Sequence, residues 1–218
     1  FPFFVEQPKI NISVASFNIL AQSKVMEVES KCLSHYLDWN HRRKGIISVI
    51  REMLCDYDAI CLQGVEKHML QDIYPILNQK YKYYFSQAED PAQSLVIFYN
   101  MDKLSLLEKE TVLSHSGDVS QMVVLETKYL QKNGKKAHIL LWNTSLTKCS
   151  DNQSLVKNCY ESLIALSNHL RSFSSIPFVV CGIPVRLHSM FTMLSDGALN
   201  SGLIYETESS ETFYNTST

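Results

Sequence analysis

The passage from Gly45 to Gln63 constrains this chain most. Ile46, Ile47, Ile50 and Leu54 recur at helical spacing, and the helix they predict runs straight into Ala59-Ile60-Cys61-Leu62, a short continuous apolar run. A run of that length with no polar alternation reads as a short buried strand that runs out into a polar turn. The same alternation extends to either side. Ile10, Ile12 and Val14 share one face of a strand over residues 10–20, and Leu70, Ile73, Ile76 and Leu77 mark a second amphipathic helix over 67–80. Tyr81–Phe85 and Ser94–Tyr99 read as further strands, followed by a segment at Lys103–Leu107. Met122–Thr127 and Ala137–Asn143 read as a hairpin across Lys132-Asn133-Gly134-Lys135, where Asn-Gly is a strong turn signal. A long helix is predicted over 153–171, and Ile176–Gly182 is again a buried strand. Strands alternating with helices give an α/β layered sandwich of two packed sheets with helices outside.

At 218 residues the chain is long enough for one substantial core. The predicted domain is 1–205, and 206–218 is a polar tail expected to be mobile. Net charge is −2, without the basic excess of a dedicated nucleic-acid binder, although a local basic face remains open. No apolar run approaches the ~20 residues a membrane helix needs, so no membrane partner is expected. Phe1-Pro2-Phe3-Phe4 has no basic segment before it and does not read as a signal peptide. None of the six cysteines forms a C-x-x-C pair, which argues against zinc, and Cys61 and Cys181 sit in apolar runs as core residues. The expected location is a reducing intracellular compartment, with cytoplasm, nucleus and mitochondrial matrix not distinguished.

Several stretches resemble one family in order and spacing. Ser16-Phe17-Asn18-Ile19-Leu20 matches a strand end S-x-N-x-L; Leu37-Asp38-Trp39-Asn40-His41-Arg42 matches L-x-W-x-x-R, with Asp38 or Asn40 as the helix cap. Asp56-Tyr57-Asp58 leads into Leu62-Gln63-Gly64-Val65-Glu66, Asn143-Thr144-Ser145-Leu146 matches N-T-x-L, and Cys181-Gly182 matches the C-G of C-G-D-x-N. This is similar to the endonuclease/exonuclease/phosphatase superfamily of metal-dependent phosphodiesterases, in its deadenylase-like branch with nocturnin and Angel. The resemblance implies a four-layer sandwich of two mixed sheets with outer helices, here without the C-terminal strands with which the family ends.

Magnesium-assisted phosphodiester hydrolysis needs hard oxygen ligands, a group that orients the attacking water, and positive charge at the transition state. By the resemblance, the metal glutamate falls at Gly64, the phosphate-contacting histidine at Ser145, the water-orienting aspartate at Ile183 and its companion asparagine at Val185. Asn18 and Asn143 are retained, and a strand-closing role for Asn18 stands beside the functional one. No cofactor is therefore expected. The chain is expected to be a pseudonuclease, a binding or structural subunit in an RNA-handling assembly, with a protein partner covering the incomplete sheet or an active relative beside it. The alternative is a rearranged magnesium-dependent phosphoesterase acting on RNA 3′ ends, with Glu66 as the substitute ligand and Asp56 or His68 assisting. Arg42, Arg43 and Lys44 are the candidate phosphate contacts, against the plainer reading of a solvated first helical turn.

Overall fold

The computed structural model describes residues 11–27, 34–77, 79–113, 119–130, 134–145 and 176–183. Its strands are β1 (Val14–Asn18), β2 (Ala59–Gln63), β3 (Tyr81–Ser86), β4 (Leu95–Asn100), β5 (Leu104–Leu113), β6 (Val119–Leu130), β7 (Lys136–Ser145) and β8 (Phe178–Ile183). The helices are α1 (Ser34–Leu37), α2 (Trp39–Asp56) and α3 (Lys67–Ile73). Two four-stranded sheets form, ordered β1-β2-β4-β3 and β5-β6-β7-β8. Both are mixed: β1 runs parallel to β2 and β7 parallel to β8, while the other pairs are antiparallel.

β2 shows why the apolar run had to be central. All five of its residues are buried. Ile60 and Leu62 point into a core beneath the helices, with Ile50, Leu54, Met69 and Phe98. Ala59 and Cys61 point the other way, into a core between the sheets with Ile97, Leu125, Leu141 and Cys181. Period-two alternation sends neighbours to opposite faces, so a strand covered on both sides must be apolar throughout.

The helix predicted through Ile46–Leu54 is α2, and Asp38 is its cap, its side chain accepting from the Asn40 amide at 2.7 Å. The second predicted helix is shorter. α3 ends at Ile73 and passes into a 3-10 turn over Tyr74–Leu77, because Pro75 has no amide hydrogen to continue an α-helix. The segment at Lys103–Leu107 is the start of a ten-residue strand, β5. The hairpin forms with Gly134 at φ 71. The helix predicted over 153–171 and the tail lie outside the described residues. No described helix is long and apolar enough to cross a membrane.

At the end of the sandwich where β1 and β2 begin, Asp58 joins three elements. Its carboxylate accepts from the Ser13 amide at 3.0 Å and hydroxyl at 3.1 Å, and from the Lys103 ammonium. Burial pushes its pKa up, but the bonds from Lys103 and Ser13 outweigh that and hold it below the ordinary aspartate value. Because the folded-state pKa is depressed, the stabilisation is present above the unfolded value, about 3.9, and is lost as pH falls through the folded one. Asp58→Asn should lower stability by about 2–3 kcal/mol at neutral pH. In urea melts, the gap between the variant and the parent should close as the pH is taken through that acidic window.

Candidate functional site

The C-terminal ends of the two parallel pairs meet at the opposite end of the sandwich. Asn18 lies beside Gln63 in the β1–β2 register, and Ser145 beside Ile183 in the β7–β8 register. A cross-sheet bond brings these ends together: the Gln63 Nε2 donates to the Asn143 Oδ1 at 2.7 Å. Asn18, Gly64, Asn143, Ser145 and Ile183 therefore fall at this one end of the sandwich, whereas Asp56 and Asp58 lie at the other, and Val185 falls outside the described residues.

Gly64 sits where β2 leaves the sheet, with φ 70, a left-handed conformation that favours glycine. A Cβ there would lie 3.0 Å from the Ala21 amide nitrogen and 3.1 Å from the Asn18 Oδ1. The loop after β1 lies close to this position, so a side chain there would need that loop to give by a few tenths of an ångström, on top of the strain of the left-handed backbone. The Asn18 Oδ1 is already engaged, accepting from the Leu20 amide at 3.0 Å. Leu20 itself has φ 57, so this turn is wound tightly onto the strand end.

Glu66 is buried at the start of α3. Its Oε1 accepts from the Ser23 amide at 2.8 Å and the Ser23 hydroxyl at 2.6 Å. Its Oε2 lies 3.4 Å from the Nδ1 of His68, an exposed residue. Glu66 thus ties α3 to the 3-10 turn over Gln22–Glu27. Asp56 is at the far end of the molecule, where its carbonyl accepts from Ser13. The structure does not bring Asp56 together with Glu66 and His68.

Asn143 is fully buried and holds the sheets together. Its Nδ2 donates to the Leu62 carbonyl at 3.0 Å and the Val96 carbonyl at 3.2 Å, while its Oδ1 takes the Gln63 bond. Gln63 completes this network through the Ser16 hydroxyl at 3.2 Å. Sequence reasoning passed over Gln63, although a lone amide in an otherwise apolar buried run was the available signal. Ser145 is also buried.

The basic cluster divides. The Arg42 guanidinium donates to the carbonyls of Leu37, Ile19 and Leu20 and to the Gln22 Oε1, at 2.8–3.1 Å. Burial lowers its pKa, with Asp38 and Glu66 pulling the other way. Arg42 is a clamp between α2 and the loop after β1, not a free phosphate contact. Arg43 pairs with Asp72 at 3.8 Å, and Lys44 is exposed.

Magnesium does not fit these residues. Gly64 supplies no ligand, Glu66 is committed to Ser23, and the two asparagines are neutral and engaged. Among the described residues, no group of three or more histidine, cysteine, aspartate or glutamate side chains is placed to hold a metal.

No family model and no curated protein matches the sequence. Solved structures do match its fold. The crystal structure of ANGEL2, a 2′,3′-cyclic phosphatase, in complex with adenosine-2′,3′-vanadate aligns at a TM-score of 0.70 and 22% identity, covering 87% of this chain and 58% of that one. The human Nocturnin catalytic domain with bound sulfate aligns at 0.63 and 19%, covering 89% and 74%. An endonuclease/exonuclease/phosphatase protein from Bacteroides vulgatus aligns at 0.63 and 16%, covering 85% and 72%. The chain thus has the endonuclease/exonuclease/phosphatase fold, with Angel- and nocturnin-type structures among those it matches, and it spans 58% of the ANGEL2 chain.

Proposed function

We propose that this chain is a catalytically silent nuclease-like protein that works by binding, as a subunit of an RNA-handling assembly or beside an active relative. One observation carries the reading: the position after Gln63 is a glycine in a left-handed conformation, with the loop after β1 close to where a ligand's Cβ would stand. The nearest replacement carboxylate, Glu66, is held by Ser23. Removing a single group that stabilises a transition state typically costs about 10²–10³ in rate, and residues that act as one unit fail together. Among the described residues β1 and β8 each have one strand neighbour and stand at adjacent edges, which is where a partner would lie. The test is metal-dependent turnover. The purified chain should leave RNA ends and 2′,3′-cyclic phosphates uncleaved in magnesium.

A further inference from the structure

The helical face of the molecule carries a feature the strand-end site does not use. His35, Tyr36 and His41 form a cluster of rings, with centroids 3.9 Å apart for His35–Tyr36, 5.1 Å for Tyr36–His41 and 6.0 Å for His35–His41. All three are exposed, Tyr36 by 47%, so their packing against one another leaves ring surface facing solvent.

Below this cluster runs a stripe of exposed residues on α2: His41, Lys44, Ser48, Arg51 and Cys55. Alternating steps of three and four residues place them on one face. From His41 to Arg51 the stripe covers about 15 Å of helix. It ends at an open groove of about 440 Å³, lined by the exposed Arg51 and Lys80 and the buried Leu54 and Ile76, with no acidic side chain in its lining. Among the described residues, the side chains of Lys44, Arg51 and Lys80 have no carboxylate partner, unlike Arg43 on the inner side of the helix. Glu52, next to Arg51, is exposed beside the stripe.

We propose that this face is a binding track for single-stranded nucleic acid, with His35, Tyr36 and His41 as a base-stacking platform and Lys44, Arg51 and Lys80 as phosphate contacts. Exposed rings at one end and spaced, unneutralised cations beyond them match the two parts of such a strand, its base faces and its backbone. An acidic peptide would use the cations but has no need of the rings. The track lies on the outer helix and not at the strand ends, so it adds a ligand to the proposed binding role without depending on whether those ends hydrolyse.

The test is fluorescence anisotropy with a labelled single-stranded RNA of about ten nucleotides, at about 50 mM salt with EDTA present. Chelating metal separates binding from any hydrolysis. Saturable binding is expected, with log affinity falling against log salt at a slope of about −2, as for three phosphates at about −0.7 each. Tyr36→Ala should weaken binding about tenfold, while Tyr36→Phe, which keeps the ring, should bind like the parent. The triple variant Lys44→Gln, Arg51→Gln, Lys80→Gln should flatten the salt slope toward zero. These side chains are exposed, and unchanged thermal melts verify that the variants fold. Absence of saturable binding, or equal binding by Tyr36→Ala or by the triple variant, overturns the proposal. A poly-glutamate peptide displacing the RNA, with Tyr36→Ala neutral, would assign the track to an acidic protein instead.

Discussion

Gly182→Ala should cost about 3–5 kcal/mol, the largest loss expected of a single methyl group in this protein. Gly182 has φ 136, where side chains are strained, and it lies opposite Thr144 in the parallel β7–β8 pair. A Cβ there would stand 2.0 Å from the Thr144 carbonyl oxygen and 2.9 Å from its carbon. Those atoms are backbone in a buried sheet and cannot swing aside, so β8 would have to leave the pair. Gly134 is the control, because its φ is 71 but nothing lies within 4 Å of its Cβ position. Gly134→Ala removes only conformational ease and should cost about 1 kcal/mol. Urea midpoints of the two variants separate the contribution of the clash from that of backbone strain.

Asn143→Ala should destabilise by about 2–4 kcal/mol, for a different reason. It removes the donor to the Leu62 and Val96 carbonyls and the 2.7 Å acceptor of the Gln63 Nε2, leaving that amide only the Ser16 hydroxyl and the Cys61 carbonyl at 3.2 Å. Leaving one partner buried alone costs more than removing both, so adding Gln63→Leu to Asn143→Leu should recover part of the loss. A double-mutant cycle should return a coupling of about 1–2 kcal/mol. A coupling near zero would mean that the amide bridge is not what joins the sheets here. The point bears on function: Asn143 has a structural reason to remain even where no phosphate is bound.

Much of the fold was legible because apolar period and burial are local properties of the sequence. The run at Ala59–Leu62 declared a buried strand, Asp38 stood as one of two cap candidates and the Asn-Gly at Gly134 announced a turn, whereas the helix end before Pro75 was missed. The destinations of polar side chains were less legible. Arg42 looked like a phosphate contact because it stands in a basic run, but its acceptors are the backbone carbonyls of Ile19 and Leu20, exposed by a turn whose geometry no residue type betrays. Glu66 looked like a spare ligand, and its actual partner, Ser23, lies in a short 3-10 turn with no periodic signature. Asp58 carried a family-like spacing but serves as an ionic tie at the far end of the sandwich. Gly64, in contrast, was informative as a residue type, since a glycine can supply no side-chain ligand in any conformation. The structure adds that its backbone is left-handed and that a Cβ there would come within 3.0 Å of the Ala21 amide nitrogen.

The central claim, that this rim no longer hydrolyses phosphodiesters, is tested most directly by incubating the purified chain with 5′-labelled RNA bearing an adenosine tail, and with the same RNA ending in a 2′,3′-cyclic phosphate. Magnesium and then manganese are supplied, with ANGEL2, a 2′,3′-cyclic phosphatase, as the control for the cyclic-phosphate substrate. The account predicts no metal-dependent change in either substrate above the protein-free blank while the control acts. Tail shortening or cyclic-phosphate opening that requires the metal and is abolished by Glu66→Ala would contradict it, and would mean that Glu66 leaves Ser23 to rebuild the site.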